Sequence, residues 1–308
     1  GFLQEKSPIL LFHSIKSDKS KNTKNIHEIS IENFKSDILW LDKNFDIISL
    51  DKFVSLKDKK GKVVITFDDG YLSIFKHALP FLIENKIPST VFLNGANIDG
   101  GILWRDKIRY IIKNKQVDKF YDFVVNKKLD LPLIKDNFYC SSKSPTINSK
   151  LLNELIDEFF LINGGYHDSL SIDDTIASLL DLIQSEYVSY GNHGFNHYLM
   201  SSLSHREQLD EVLDNEIYFH NNGIKLSKIF SIPFGGDETY DNNTLDILLK
   251  NNYNSILLSR NRLNITSVKS YKSVFIDRFM PQEKNHRNLI LIIKMIIKRV
   301  LDNLTLRS

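Results

Sequence analysis

Short apolar runs alternate with amphipathic stretches along much of this chain, and this alternation limits the possible fold more than any other feature. An apolar run bounded by turn residues predicts a buried strand, whereas apolar residues at helical spacing predict a helix. The predicted strands are residues 8–12, 45–50, 62–67, 90–93, 187–190, 229–232, 253–258 and 273–276. Repeated strand–helix units of this kind indicate an α/β fold.

The stretch from about residue 100 to residue 185 interrupts the alternation. Helical patterns at 108–123, 151–162 and 173–182 are separated there by polar loops. We interpret the stretch as a helical insertion in one domain that covers residues 1–308, a length that α/β barrels reach as a single domain. With 42% hydrophobic residues, the chain has enough apolar mass for one large core.

The charge balance argues against a nucleic-acid partner. The chain has 40 basic and 38 acidic residues, whereas nucleic-acid binding needs basic residues clustered on one face. The single cysteine, Cys140, excludes an intrachain disulfide and a multi-cysteine metal site. No apolar run is long enough to span a bilayer, and residues 1–6 lack the regions of a signal peptide. These features leave the location open and favour the cytoplasm or a membrane periphery.

A pair of aspartates follows the most apolar of the predicted strands. Residues 62–67 run directly into Asp68 and Asp69, and a predicted helix at 71–85 comes next. The carboxyl ends of strands are where active sites form in barrels and open α/β sheets. One carboxylate would bind a metal while the other accepts a proton from metal-bound water. A solvated Asp-Gly turn is the alternative interpretation.

Two histidines follow a later predicted strand. His193 and His197 are four residues apart, and the neighbouring glycines favour a loop over a helix. Imidazole nitrogens together with a carboxylate oxygen suit zinc or a similar divalent metal. Two histidines and one aspartate would leave a coordination position for water and substrate. Two surface histidines in a polar loop are the alternative.

The segment from Pro233 to Gly236 forms a third strand-end loop. Its glycines would let a ligand approach the backbone closely. Phe234 and the glycines keep their backbone N–H groups, and such a donor would stabilise an oxyanion. Taken alone, the segment is also an ordinary Pro-Gly turn.

Together these three segments resemble the polysaccharide deacetylase family, also called the NodB-homology family or carbohydrate esterase family 4. The resemblance rests on residues 66–70 (TFDDG), 193–197 (HGFNH) and 230–235 (FSIPFG), in that order, and covers about residues 8–280. Residues 11–14 (LFHS) and the pair at 277–278 (DR) are similar to the exopolysaccharide N-deacetylase branch.

The resemblance implies a fold, a reaction and a set of roles. The fold is a distorted, incomplete (β/α) barrel with fewer than eight complete units. The reaction is metal-dependent removal of N-acetyl groups from an N-acetylated sugar or polysaccharide in bacterial glycan biosynthesis. Asp68 would be the base, and Asp69, His193 and His197 would hold one divalent ion, with zinc expected. Phe234 would supply the oxyanion donor, and Pro233 and Gly235 would contact substrate.

The chain departs from the family pattern in two ways. It has no Leu-x-His motif to supply the usual catalytic acid, and Ser231 stands where many members have an arginine. We expect His13 to fill part of the first gap, unless it is a hydrogen-bonded histidine at the barrel rim. We expect Arg278 to pair with Asp68 and keep it ionised, the alternative being a surface salt bridge. Trp104 is expected to stack on a sugar, unless it anchors a helix.

Two alternative functions stay open: the chain is a non-catalytic sugar-binding relative of the family, or it is an O-acetyl esterase. The contact made by the C-terminal helix is also open. An amphipathic helix is predicted at about residues 287–304, with an apolar stripe between basic residues. It would either pack on the barrel wall or attach peripherally to an anionic membrane.

Overall fold

The computed structural model describes residues 7–16, 28–165, 176–262, 264 and 274–281. The strands are β1 (Ile9–Phe12), β2 (Ser14–Lys16), β3 (Glu28–Ser30), β4 (Asp46–Ile47), β5 (Lys62–Phe67), β6 (Ser89–Leu93), β7 (Val188–Asn192), β8 (Leu226–Ser231), β9 (Ser255–Leu258) and β10 (Val274–Asp277). The α-helices are α1 (Ile31–Asn44), α2 (Leu50–Ser55), α3 (Leu79–Glu84), α4 (Gly95–Ile98), α5 (Trp104–Lys113), α6 (Val117–Asn126), α7 (Phe138–Ser141), α8 (Ser149–Ile162), α9 (His205–Asn221) and α10 (Asn242–Lys250).

The main sheet is a nearly closed barrel of parallel strands. Its order is β1-β5-β6-β7-β8-β9-β10, with β4 paired to β5 outside this path. Phe279, just after β10, returns to β1: Leu11 donates to its carbonyl, and its own N–H donates to Ile9. Within the described residues the ring therefore has seven strands, which agrees with the predicted distorted (β/α) barrel.

Four of the barrel strands are buried on both faces, because helices cover the outside of the ring there. Strands β1, β6 and β9 are buried along their whole length, and β5 is buried after its first residue. Near-continuous apolar runs are what a parallel sheet with both faces covered requires. Because the strands are parallel, the residues that follow them lie at one end of the barrel.

Helices α4 to α8 occupy the chain between β6 and β7, where the helical insertion was predicted. They enclose an apolar cluster of their own, which includes Trp104, Phe120 and Phe159. The prediction of one helix at 108–123 is wrong. Helix α5 ends at Lys113 because Lys115 takes a left-handed backbone conformation (φ 54°) and Gln116 closes the turn on Ile111.

Other local predictions fail for equally local reasons. Of the strand predicted at 45–50, two residues pair in β4, and Ser49 then caps α2 by accepting a hydrogen bond from the backbone of Lys52. Of the helix predicted at 173–182, the described part contains a bridge at Ile176 and a short 3₁₀ turn. The helix predicted at 287–304 lies outside the described residues. Among the helices that the structure does describe, none is long and apolar enough to cross a membrane.

The close approach of β6 and β7 generates a stability prediction. Gly191 pairs with Phe92, and a Cβ added at Gly191 would lie 2.3 Å from the Phe92 ring. Gly191→Ala should therefore lower the free energy of unfolding by about 1–3 kcal/mol, the usual cost of overpacking. Urea denaturation measures this loss. Adding Phe92→Leu should recover part of it, and strictly additive losses would contradict the contact.

Candidate metal centre

Three side chains from two strand-end loops converge at the carboxyl end of the barrel. Asp69 Oδ1 lies 3.5 Å from His193 Nε2 and 3.3 Å from His197 Nε2. The three potential ligand atoms all lie within 4.8 Å of one another, and all three residues are buried. The structure thus brings together the three residues that the sequence predicted as ligands.

The donor atoms of this cluster suit a divalent cation. The Nδ1–H of His193 donates to the Ser231 carbonyl at 2.7 Å, which turns the Nε2 lone pair toward Asp69. Burial, assisted by the nearby Arg105 charge, lowers the pKa of His197 to about 4, so this imidazole is neutral at neutral pH. Asp69 Oδ1 is buried and has no hydrogen-bond partner among the described residues. A buried carboxylate oxygen in that position fits the ligand set of a metal.

Left-handed backbone conformations occur at three of the predicted site residues. The φ angles are 72° at Asp69, 58° at His197 and 65° at Phe234. Such conformations cost about 1–3 kcal/mol each in non-glycine residues, and they concentrate at functional sites. The loops that follow β5, β7 and β8 are therefore held in strained shapes at this end of the barrel.

Asp68 is held by Arg278 through two hydrogen bonds. Nη1 donates to Oδ1 and Nη2 to Oδ2, both at 2.7 Å, while Ser231 also donates to Oδ2 at 3.2 Å. Arg278 is fully buried, so the predicted pairing is confirmed and the surface salt bridge is excluded. Burial raises the pKa of Asp68, but the charge and hydrogen bonds of Arg278 together with the nearby histidines outweigh it, and the pKa lies below its ordinary value. Asp68 is therefore ionised at neutral pH.

His13 lies at the same end of the barrel, directly after β1. Its Nε2 is 3.8 Å from Asp69 Oδ2, and the residue is nearly buried. His13 therefore lies beside the candidate metal ligands, as its proposed role requires. Its role as catalytic acid stays a prediction.

Arg105 is a site residue that the sequence reasoning missed. It is the second residue of α5, its side chain is 6% exposed, and it forms an ion pair with Asp69 Oδ2. It also donates to the Tyr71 hydroxyl at 3.2 Å. Burial raises the pKa of Asp69, but the Arg105 charge and the nearby imidazoles together outweigh it, and the pKa falls well below its ordinary value. The only sequence signal was its place beside Trp104, at the start of the insertion.

The prediction that Trp104 stacks on a sugar is wrong. The residue is 1% exposed, and its indole N–H donates to the His197 carbonyl at 2.8 Å. Its ring packs edge-on against Phe234. Trp104 therefore anchors α5 to the loop that carries His197, the alternative that the sequence left open.

The third strand-end loop contributes Phe234 beside the cluster. The Phe234 ring centroid lies 4.9 Å from that of His197, and the residue is partly exposed. Pro233 and Gly235 are buried. A Cβ on Gly235 would lie 2.5 Å from the backbone nitrogen of Ser259, so packing against that residue requires glycine there. Substrate contact by Pro233 and Gly235 stays a prediction.

The family model described as "Polysaccharide deacetylase" matches residues 55–120 and 141–256, which is more than half of the chain. The chain belongs to the polysaccharide deacetylase family. The matched ranges include both aspartates, both histidines and the Phe234 loop, so the converging residues lie within the part that the family shares.

Two curated relatives match this deacetylase-family chain over part of its length. YxkH of Bacillus subtilis, which carries the same family description, is 34% identical over 99 residues, or 30% of this chain and 33% of YxkH. The poly-β-1,6-N-acetyl-D-glucosamine N-deacetylase of Staphylococcus epidermidis is 33% identical over 127 residues, or 39% of this chain and 42% of that enzyme. The chain therefore spans less than half of the length of either relative.

Solved deacetylases share the fold over most of their length. PplD from Streptococcus pyogenes, determined in complex with acetate, has a TM-score of 0.57 and 16% identity, covering 94% of this chain and 98% of PplD. IcaB from Ammonifex degensii has a TM-score of 0.55 and 14% identity, covering 93% and 96% respectively. At these identities the likeness shows the fold.

In this family member, α9 fixes the loop that carries the two histidines. The helix begins at a capping box, in which Ser204 and Glu207 exchange hydrogen bonds. Further along, Glu211 accepts hydrogen bonds from the backbone N–H of Asn196 at 2.9 Å and from its side chain at 2.6 Å. Asn94 donates to the carbonyls of His193 and Gly194 at 2.7 Å each. The loop is therefore tied down from two sides.

Glu211 gives the fold a pH dependence that can be measured. Burial raises the pKa of its carboxyl from 4.5 to about 7, although the hydrogen bonds from Asn196 oppose the change. The folded protein thus binds this proton more tightly than the unfolded chain, so stability falls as the pH rises from 4.5 to 7. This one group should contribute a fall of up to about 3 kcal/mol.

Urea denaturation of the wild type and of Glu211→Gln across this pH range isolates the contribution. The amide does not ionise, so the variant should lose less stability as the pH rises. Parallel pH profiles for the two proteins would show that Glu211 keeps an ordinary pKa.

Proposed function

We propose that this protein is a metal-dependent N-deacetylase that removes acetyl groups from an N-acetylated polysaccharide. The observation that carries the proposal is the convergence of Asp69, His193 and His197 beside an ionised Asp68. Three buried protein ligands match catalytic zinc sites, whereas structural zinc sites are closed by four. Zinc is therefore the expected ion.

The reaction consumes water and converts an amide into acetate and an amine. A divalent ion at Asp69, His193 and His197 would supply Lewis acidity, which polarises a carbonyl and lowers the pKa of water. Asp68 Oδ2 lies 3.6 Å from His193 Nε2, so the carboxylate borders this ligand set. Arg278 and Ser231 fix its orientation and leave it acceptor capacity for a proton.

Two further groups complete the proposed chemistry. The backbone N–H of Phe234 would stabilise the negative charge that develops on the amide oxygen. His13 would donate a proton to the leaving amine. Its Nε2 lies 3.8 Å from Asp69 Oδ2, which places the imidazole beside the proposed ligand set. Asp68 would take one proton from water, and His13 would give one to the nitrogen as the C–N bond breaks, so the protein gains no net proton.

The relatives suggest which substrate to test first. The Staphylococcus epidermidis relative is named for poly-β-1,6-N-acetyl-D-glucosamine, and PplD was determined with acetate, the expected product of deacetylation. We propose an N-acetylglucosamine polymer as the substrate. No nucleic acid takes part in the proposed reaction.

Acetate release from matched substrates tests this proposal. Zinc-loaded protein should release acetate from oligomers of β-1,6-linked N-acetylglucosamine and not from O-acetylated sugars with a free amine. Release from the O-acetylated sugars alone would make the protein an esterase. Oligomer binding without release from either substrate would make it a non-catalytic sugar-binding relative.

Substitutions of the proposed base and of a proposed metal ligand should separate catalysis from metal binding. Asp68→Asn should retain about one metal ion per chain but lose about 10²- to 10⁴-fold in rate, because an amide does not accept the proton. His193→Ala should lose metal and activity together. Metal content and acetate release are measured on the same samples, after circular dichroism has established folding. An Asp68→Asn variant that loses metal but regains full activity on reloading would contradict the assigned roles.

A further inference from the structure

Each of the two consecutive aspartates faces a buried arginine, but the two pairs differ. Arg278 contacts Asp68 through both carboxylate oxygens. Arg105 contacts Asp69 through Oδ2, and its Nη1 also lies 3.5 Å from His197 Nε2. The Arg105 guanidinium therefore touches two of the three residues that would hold a metal.

The burial of Arg105 ties its charge to Asp69. Its Nε is buried and has no hydrogen-bond partner among the described residues, and its Nη2 also donates a hydrogen bond to the Tyr71 hydroxyl. Tyr71 in turn donates to Asp106, which pairs with Arg109. Asp69 is thus the carboxylate that Arg105 contacts directly. Removing one member of a buried ion pair leaves the other charge uncompensated, which is strongly destabilising.

A bound divalent cation and the Arg105 guanidinium would share the Asp69 carboxylate and repel each other. The cation would bind Oδ1, which has no hydrogen-bond partner among the described residues, while Arg105 contacts Oδ2. Both carry positive charge. Arg105 Nη1 lies 3.5 Å from His197 Nε2, the nitrogen that would bind the cation, and burial keeps solvent screening weak there. Repulsion between them lowers the metal affinity of the site.

We propose that Arg105 sets the metal affinity of this centre: it is the resident cation that stabilises Asp69 when no metal is bound, and it weakens metal binding. The inference rests on the metal site of the proposed function and adds a residue outside the ligand set. Two opposite effects of its removal follow. The metal-free protein becomes less stable, and the affinity for metal becomes higher.

Zinc affinity, measured by competition with a chromophoric chelator, tests the inference without relying on activity. Arg105→Gln should bind zinc more tightly than the wild type by on the order of tenfold or more. Its metal-free form should melt at a lower temperature than the metal-free wild type, and zinc should raise its melting temperature by more. Arg105→Lys should fall between the two, because an ammonium keeps the charge but lacks the planar fork that reaches both Asp69 and His197.

Arg109→Gln is the matched control. Arg109 lies one turn further along α5 and is partly buried, but it pairs with Asp106 instead of Asp69. This control should leave the zinc affinity within about threefold of the wild-type value, since it removes the same charge without the direct contact.

The outcomes separate this inference from the proposed function. A wild type that binds no divalent ion under any loading condition refutes the metal site itself. A wild type that binds zinc, with unchanged or weaker binding in Arg105→Gln, refutes the role of Arg105 alone. An equal rise in zinc affinity in Arg109→Gln also refutes it, because the loss of any nearby positive charge would then have the same effect. If Arg105→Gln does not fold, Arg105→Lys decides, and unchanged or weaker zinc binding overturns the inference.

Discussion

Two buried ion pairs, Asp68 with Arg278 and Asp69 with Arg105, determine the arrangement of the site. Arg278 engages both oxygens of Asp68, whereas Arg105 leaves Oδ1 of Asp69 to the two imidazoles. Neighbouring carboxylates of the same chemical type thereby receive different environments. The proposed division between a proton acceptor and a metal ligand follows from which oxygen atoms the arginines occupy.

The barrel makes this arrangement possible by collecting distant segments at one end. His13, Asp68, His193 and Arg278 each follow directly after a parallel strand of the ring. Strands β1, β5, β6 and β9 are almost entirely buried, and the last three residues of β7 and of β8 are buried too, so the loops beyond them have a rigid base. The helical insertion contributes in turn, because α5 delivers Arg105 to Asp69 and Trp104 to the backbone of His197. The insertion is therefore part of the site.

The sequence predicted the features that depend on local residue pattern and on the rule that residues following parallel strands lie at one end of the barrel. Apolar runs marked the strands, and the parallel arrangement then placed Asp69, His193 and His197 together. Arg105 and Trp104 depend on how the insertion packs against the barrel, which periodicity does not encode. An arginine in an amphipathic helix carries no sign of a buried partner 36 residues away. The break after Lys113 was missed for a similar reason, since a non-glycine residue takes the left-handed conformation there.

The central claim is that a divalent ion binds Asp69, His193 and His197 while Arg105 stays on the other oxygen of Asp69. Anomalous diffraction at the zinc edge, from crystals grown with zinc, tests this most directly. The account predicts one ion about 2.0–2.2 Å from Asp69 Oδ1 and from both Nε2 atoms. An ion bound elsewhere, or crystals with this cluster intact and no zinc in it, would contradict the account.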